Sequence, residues 1–105
     1  MRPVILSEYC HAMGNATGNY KEWWDLFRSM HHAQGGFIWA WADEALRRTT
    51  SDGATAFWAY GGDCGEAVHN FTFCLNGIVF PDRTPHAALA EIKFVHQPIS
   101  CSLSS

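Results

Sequence analysis

The stretch that decides the fold is PVILSEYCHAMGNATGNYKEWWDLFRSMHHAQGGFIWAW, residues 3–41. It contains two apolar runs without polar alternation, residues 3–7 and 36–41. Such runs are typical of strands that are covered on both faces of a parallel sheet. Between them, apolar and aromatic side chains recur at helical spacing over residues 20–31. The order strand, helix, strand predicts a right-handed parallel crossover, the repeating unit of a barrel or a doubly wound sheet.

The ends of the predicted helix carry signals of their own. Asn19 is expected to be its N-cap, and Glu22, three residues on, is close to a capping box. Lys21 and Asp25 have the spacing of an ion pair on the exposed side of the helix. Gly35 and the glycine after it are expected to end the helical unit before the second strand begins.

The second half of the chain is less regular. Within residues 45–83, the aromatic run 57–60 has the composition of a strand, and we interpret the whole region as a long excursion after the second strand. Thr84 as N-cap and Pro85 at the first helical position predict a last helix, which continues to about residue 97.

Length and composition exclude several classes of protein. The 105 residues fall far short of the roughly 250 of a complete (β/α)₈ barrel, so a barrel-like chain of this size is only part of one. A hydrophobic fraction of 48% and a charged fraction of 16% indicate an ordinary globular interior. The net charge of -3, with lysines and arginines scattered, provides no basic surface for nucleic acid or an anionic membrane.

The N-terminal residues and the cysteines suggest a cytoplasmic setting. One arginine and a short apolar run before Glu8 fit neither a signal peptide nor a membrane-spanning helix. The cysteines are widely spaced and form no C-x-x-C pair, which predicts reduced and mostly buried thiols. They are Cys10, Cys64, Cys74 and Cys101. His31 and His32 do not suggest a metal site, because adjacent helical residues point about 100° apart.

Two carboxylates stand where apolar runs end. Glu8 follows the first run, and Asp43 follows the second. In parallel α/β folds, reactive side chains collect at the carboxyl ends of the strands. A partly desolvated carboxylate there suits a glycosidase nucleophile or an acid that transfers a proton. From its position alone, the alternative is that Glu8 pairs with an arginine of an adjacent loop.

A family resemblance makes the interpretation more specific. Residues 5–15, ILSEYCHAMGN, resemble the nucleophile segment of glycoside hydrolase family 2 β-galactosidases. Further stretches resemble the same family in the same order: QGGFIWAW at 34–41, YGGD at 60–63, FCLNG at 73–77 and DRTPH at 82–86. Ala40 and Asn70 depart from the family, in which acidic residues are common at these positions.

The resemblance implies an α/β fold that is a partial (β/α)₈ TIM barrel, made of the seventh and eighth strands with their helices. Residues 1–97 would form this C-terminal part of the catalytic barrel domain. Residues 98–105 do not obviously continue into the next domain of complete family members, and we leave them as an unassigned tail.

The resemblance also implies that Glu8 is the nucleophile of a retaining β-galactosidase, an enzyme that forms and then hydrolyses a covalent galactosyl intermediate. This double displacement needs a second carboxyl group roughly 5–5.5 Å away, as general acid and base. No other glutamate of the chain lies in a matching motif, so we expect the isolated chain to be inactive. These residues are Glu22, Glu44, Glu66 and Glu91.

Further site residues follow from the same resemblance. His11 matches a histidine that contacts the galactosyl hydroxyls, and Trp39 matches the apolar floor under the sugar, whereas Trp41 is expected in the core. Phe73 and Asn76 match ligands of a sodium ion beside the substrate, through a main-chain carbonyl and a side-chain amide oxygen. The family's magnesium ligands lie upstream. The structural alternatives are a loop hydrogen bond for His11, packing for Trp39, and a turn for Phe73 and Asn76.

The expected partners are a β-galactoside substrate and the remaining barrel segment of the enzyme. A second hypothesis is a non-catalytic product of a split gene that completes a barrel with a separate chain. A third is another family 2 specificity, such as β-glucuronidase or β-mannosidase. The pattern of His11 and residues 13–15 favours galactosides.

Overall fold

The computed structural model describes residues 2–103. Met1 and the last two residues of the unassigned tail, Ser104 and Ser105, lie outside the described residues. The elements in chain order are β1 (Val4–Tyr9), α1 (Tyr20–Ser29), β2 (Ala33–Ile38), β3 (Leu46–Thr49), β4 (Ala56–Ala59), a one-turn 3₁₀ helix (Phe71–Cys74) and α2 (Ala88–His96).

β1 and β2 pair in parallel, and α1 connects them along the chain, as the crossover predicts. Leu6 pairs with Gly36, and Tyr9 pairs with Ile38. β2 starts three residues before the predicted strand and ends before Trp39, because the chain then turns to bond with a later segment. Within residues 2–103, β1–β2 and β3–β4 are separate two-stranded sheets, and no barrel closes.

The two parallel strands are less covered than the sequence predicts. Ile5 is 59% exposed and Phe37 is 66% exposed, so the expectation of strands buried on both faces is wrong for this chain. The physical reason is that α1 alone of the helices packs on the pair, while α2 packs on α1, and no further strands of the described chain lie beside the pair. The core is confined to a cluster of buried side chains, Tyr9, Ala12, Tyr20, Ile78, Ile92 and Val95.

The beginning of α1 differs from the prediction. Asn19 occupies the cap position in the left-handed region at φ 58°, and its side chain makes no capping hydrogen bond. The capping box with Glu22 is therefore wrong, since a cap residue accepts from the helix with its side chain only in the extended conformation. The predicted pair of Lys21 and Asp25 does form. His31 lies beyond the end of α1, and residues 2–103 hold no cluster of metal-ligating side chains.

The excursion contains a hairpin in which β3 and β4 pair antiparallel, with Arg47 opposite Trp58. The last helix begins later than predicted, since the cap of α2 is Ala87 and no side chain bonds there. Thr84 instead belongs to a turn, in which its N–H donates to the Asp82 carboxylate over 2.9 Å. A local Asx-type bond thus competes with the helical cap that the sequence suggests.

The thiols are free but not mostly buried, which corrects the sequence expectation. Cys10 and Cys74 are half-buried, while Cys64 and Cys101 are exposed. Burial raises the pKa of the Cys10 thiol. No helix within residues 2–103 has the length and apolar character needed to cross a bilayer.

Two tyrosines and a histidine connect β1, α1 and α2. The Tyr9 hydroxyl donates to the Tyr20 hydroxyl over 3.2 Å, and the Tyr20 hydroxyl also bonds to Nε2 of His96. The His96 ring packs on Trp24, with 4.2 Å between the ring centroids. Burial, and then the nearby Arg28 guanidinium, hold the pKa of His96 below its ordinary value. The contact between α1 and α2 therefore favours the neutral imidazole.

We expect acid to weaken this contact. Because folding lowers the pKa of His96, the unfolded chain binds the proton more readily, and the free energy of unfolding falls as pH drops below the ordinary value of 6.5. Urea unfolding at pH 8 and pH 5.5 measures the change. His96→Gln should show a smaller pH dependence than the unsubstituted chain, and an identical dependence in both would contradict the role of His96.

Candidate active site

The candidate site lies where the carboxyl ends of β1 and β2 meet. Glu8 is exposed and is the last but one residue of β1, so it lies within the strand, and not after it. Beyond β2, the Trp39 N–H donates to the Tyr9 carbonyl over 3.2 Å, and the Ala12 N–H donates to the Trp39 carbonyl over 2.7 Å. These bonds tie Trp39 to the loop that follows Glu8. The peptide bond from Trp39 to Ala40 is cis.

The loop after Glu8 also contacts the 3₁₀ helix. The rings of His11 and Phe73 pack with their centroids 5.4 Å apart. His11 is half-buried, and Phe73 is 58% exposed. Residues that are 62 positions apart in the sequence numbering, from 11 to 73, are thus brought to the same edge of the parallel pair.

A pocket of about 370 Å³ opens beside these groups. Its wall includes Trp39, Phe73 and Asn76, which are three of the five predicted site residues. Glu8 and His11 do not line the pocket. The His11 ring packs on the Phe73 ring, which does line it. Sites for small ligands commonly combine aromatic walls with a few polar groups, as this pocket does.

The polar group inside this pocket is Asn76, which is only 4% exposed. Its Nδ2 donates to the Phe73 carbonyl over 3.0 Å, while its Oδ1 is buried without a hydrogen-bond partner among the described residues. An unsatisfied buried carbonyl oxygen is unfavourable by about 1–3 kcal/mol. This oxygen therefore lacks the partner that a buried polar atom normally has.

The bond from Asn76 to the Phe73 carbonyl is the turn contact that is the structural alternative to a sodium site, and a cation site would need the amide to turn. Hard cations prefer oxygen ligands, and Phe73 and Asn76 bring a carbonyl and an amide close together. A half-turn of the Asn76 amide would direct Oδ1 toward the Phe73 carbonyl, so that both oxygens face one ion. The oxygen and nitrogen of an amide are assigned from the hydrogen-bond network, which a bound ion would change.

The sequence places Asp43 at the end of an apolar run but indicates no partner for it, and the structure shows two. Asp43 is 8% exposed. Its Oδ1 accepts the Gly77 N–H over 2.8 Å, and its Oδ2 lies 2.8 Å from Nε2 of His86. The DRTPH stretch, which contains His86, is part of the family resemblance. Nothing in its spacing indicates that His86 bonds to Asp43.

The remaining glutamates separate into different surroundings. Glu44 lines the same pocket as Trp39. Glu66 accepts the N–H groups of Gly62 and Cys64, and these hydrogen bonds lower its pKa, which marks it as the carboxylate of a turn. Glu44 is therefore the glutamate, besides Glu8, that lies at the candidate site. The other three are Glu22, Glu66 and Glu91.

Comparison with known proteins identifies the family. A family model described as glycosyl hydrolases family 2, TIM barrel domain, matches residues 1–101. The β-galactosidase of Photobacterium profundum is 52% identical over 103 residues, which are 98% of this chain and 10% of that protein. The β-galactosidase of Klebsiella pneumoniae is 53% identical over 104 residues, covering 99% of this chain and 10% of that protein.

A β-galactosidase of Enterobacter cloacae is 58% identical over 90 residues, covering 86% of this chain and 9% of that protein. The chain thus spans about a tenth of the length of the curated relatives it matches. The resemblance deduced from the motifs is confirmed, whereas the domain boundary at residue 97 stays a prediction. The chain belongs to the glycosyl hydrolases of family 2 and corresponds to part of their TIM barrel domain.

Proposed function

We propose that the chain is the part of a retaining β-galactosidase that contributes the seventh and eighth barrel strands and the nucleophile Glu8. The observation that carries the proposal is the meeting of β1 and β2 at one edge. There Trp39 bonds to Tyr9, the residue after Glu8, and the loop that follows packs His11 on Phe73. In parallel barrels this edge is the one that holds active sites. The names of the relatives favour a galactoside as the substrate.

In this mechanism, a carboxylate oxygen of Glu8 attacks the anomeric carbon, and the bond from that carbon to the leaving oxygen breaks. A second carboxyl group protonates the leaving oxygen. Water then attacks the anomeric carbon of the galactosyl-enzyme, its proton passes to the second carboxylate, and Glu8 is released. Two inversions give overall retention of configuration. We assign the second carboxyl group to the remaining barrel segment, so the isolated chain is inactive.

The neighbouring residues bind and orient the sugar. The Trp39 indole is 44% exposed and lines the pocket, so its face can stack on the C–H face of a galactosyl ring. His11 would hydrogen-bond to the sugar hydroxyls from the loop that follows Glu8. Asn76 offers its unpartnered Oδ1 either to a hydroxyl or to a cation.

Sodium is the cation that we propose for the Phe73 carbonyl and the Asn76 amide. A bound sodium ion would supply positive charge beside the sugar hydroxyls. The two residues provide only part of a coordination shell, and we propose that the remaining barrel supplies the other ligands. We propose no magnesium site among the residues of this chain.

Uncovered apolar groups favour a second candidate function, completion of a barrel by a separately encoded partner. Phe37 is 66% exposed, Trp41 is 62% exposed and Leu46 is 65% exposed. The expectation that Trp41 lies in the core is thus wrong for this chain, because the groove between β2 and α2 is open. Barrel strands that supplied a covering layer would bury these side chains. Either function takes place in the cytoplasm in our proposal.

A chimera tests the proposed function directly. This chain would replace the matching segment of the Klebsiella pneumoniae β-galactosidase, with which it shares 53% identity over 104 residues. We expect the chimera to hydrolyse an aryl β-galactoside in preference to the matching β-glucuronide and β-mannoside, while the isolated chain hydrolyses none of them. A folded chimera without galactosidase activity, or an active isolated chain, would contradict the proposal.

A further inference from the structure

Asp43 is a buried carboxylate that the proposed chemistry does not use. It follows β2 by five positions, in a segment that runs parallel to residues 76–79. The Asp43 N–H donates to the Val79 carbonyl over 3.0 Å, and the side chain accepts the Gly77 N–H over 2.8 Å. Main chain and side chain of one residue therefore both hold the same later segment. Hydrogen bonds to a buried charged group are among the stronger ones in proteins.

The residue held most directly by this arrangement is Asn76. Its carbonyl accepts the N–H of Ala40, and the next amide along the chain, Gly77, is the one that Asp43 binds. The Asn76 side chain then bonds to the Phe73 carbonyl, and its buried Oδ1 has no hydrogen-bond partner among the described residues. The position of this oxygen depends on the backbone at Asn76 and Gly77. Hydrogen bonds to the segment after β2 fix this backbone at both residues.

His86 fixes the carboxylate from the opposite side. Its backbone N–H donates to the Ile78 carbonyl over 3.1 Å, and its ring stacks on Phe80 with 3.9 Å between centroids. Nε2 lies 2.8 Å from Oδ2 of Asp43. An ionised carboxylate only accepts, so Nε2 is the nitrogen that carries the hydrogen. Both oxygens of Asp43 are thus bonded, and rotation of the carboxylate is restricted.

We propose that Asp43 is a positioning residue for the galactoside pocket, which holds Asn76 through the Gly77 amide while His86 fixes the orientation of its carboxylate. The inference rests on the proposed function, because it assigns to Asn76 a role in binding the sugar and its cation. Asp43 itself does not touch the substrate. Its loss should therefore weaken ligand binding and sodium dependence more than the chemical step.

The test uses the chimera and a non-hydrolysable thio-β-galactoside. Calorimetry measures the binding of this ligand in sodium buffer and in potassium buffer. Asp43→Ala should raise the dissociation constant in sodium by about 10- to 100-fold, the equivalent of one lost hydrogen bond to a charged group. It should also reduce the difference between the two buffers. In hydrolysis assays, KM should rise by a similar factor, while kcat changes by less than about threefold.

Conservative and control variants separate positioning from general damage. Asp43→Asn should bind within about threefold of the unsubstituted chimera, because an amide can still accept from Gly77 and donate to the other tautomer of His86. Asp52→Ala is the matched control. Asp52 is likewise an aspartate that accepts a backbone N–H, but it lies exposed at the tip of the hairpin of β3 and β4. Its binding constant should not change.

Each outcome decides a separate claim. Unchanged binding in Asp43→Ala overturns the positioning role, whatever the activity of the chimera. An inactive chimera whose thiogalactoside binding still depends on Asp43 supports positioning and removes the catalytic part of the proposed function. If Asp43→Ala does not fold, His86→Phe keeps the stack on Phe80 and removes only the bond to Oδ2. A several-fold loss of binding then supports the role, and no loss overturns it.

Discussion

Glu8→Gln in the chimera is expected to lower the rate of aryl β-galactoside hydrolysis by roughly 10³- to 10⁶-fold, the range for loss of a group that forms a covalent intermediate. The amide is almost the same size as the carboxylate but cannot attack the anomeric carbon. Because Glu8 is exposed and is not a member of the core cluster, the variant should fold as the parent does. Steady-state kinetics and circular dichroism measure the two effects.

Glu22→Gln is the control for this prediction. Glu22 is also an exposed glutamate, and it lies in the first turn of α1, away from the edge where β1 and β2 end. Its activity should match that of the unsubstituted chimera. A Glu8→Gln variant with more than about a tenth of the parent activity would show that another group is the nucleophile.

Gly77→Ala is expected to destabilise the fold strongly. A Cβ at Gly77 would lie 2.0 Å from the Asp43 nitrogen and 2.2 Å from the carbonyl carbon of Ala42. Both neighbours are backbone atoms, so relief requires the two segments to separate, with loss of the bond from Gly77 to Asp43. We expect a loss of about 3 kcal/mol or more, larger than most core substitutions.

Thermal unfolding of the 105-residue chain measures this effect. A loss of about 3 kcal/mol corresponds to a fall in Tm of more than about 10 °C for a domain of this size. Gly18→Ala is the control, because its Cβ would meet nothing within 4 Å and its backbone is not left-handed. Equal Tm values for the two variants would contradict the close approach of the segments around Gly77.

The parallel crossover could be predicted from the sequence because it depends on local signals. Apolar runs and helical spacing are properties of neighbouring residues, and they located β1, α1 and β2 to within a few positions. The helix starts were not predictable in the same way. Asn19 adopts a left-handed backbone, and Thr84 enters a turn with Asp82, so in both cases a local alternative displaced the expected cap.

The candidate site was only partly predictable, for a related physical reason. Glu8 was proposed because it follows an apolar run within a stretch that resembles the family, whereas Trp39 was proposed from the resemblance. The contacts of Asp43 span 34 residues to Gly77 and 43 residues to His86. Nothing in the spacing of a single sequence indicates pairs so distant. The unpartnered oxygen of Asn76 is likewise a property of packing, and only the three-dimensional structure shows it.

The most direct test of the central claim is to trap the covalent intermediate on the chimera. A 2-fluoro galactoside with a good leaving group slows the second displacement more than the first, so the sugar should remain attached to the nucleophile. Mass spectrometry of the proteolysed protein then locates the label. Our account predicts a fluorogalactosyl group on the peptide that contains Glu8, with esterification of that side chain. Label on a different carboxylate, such as Glu44, would contradict it.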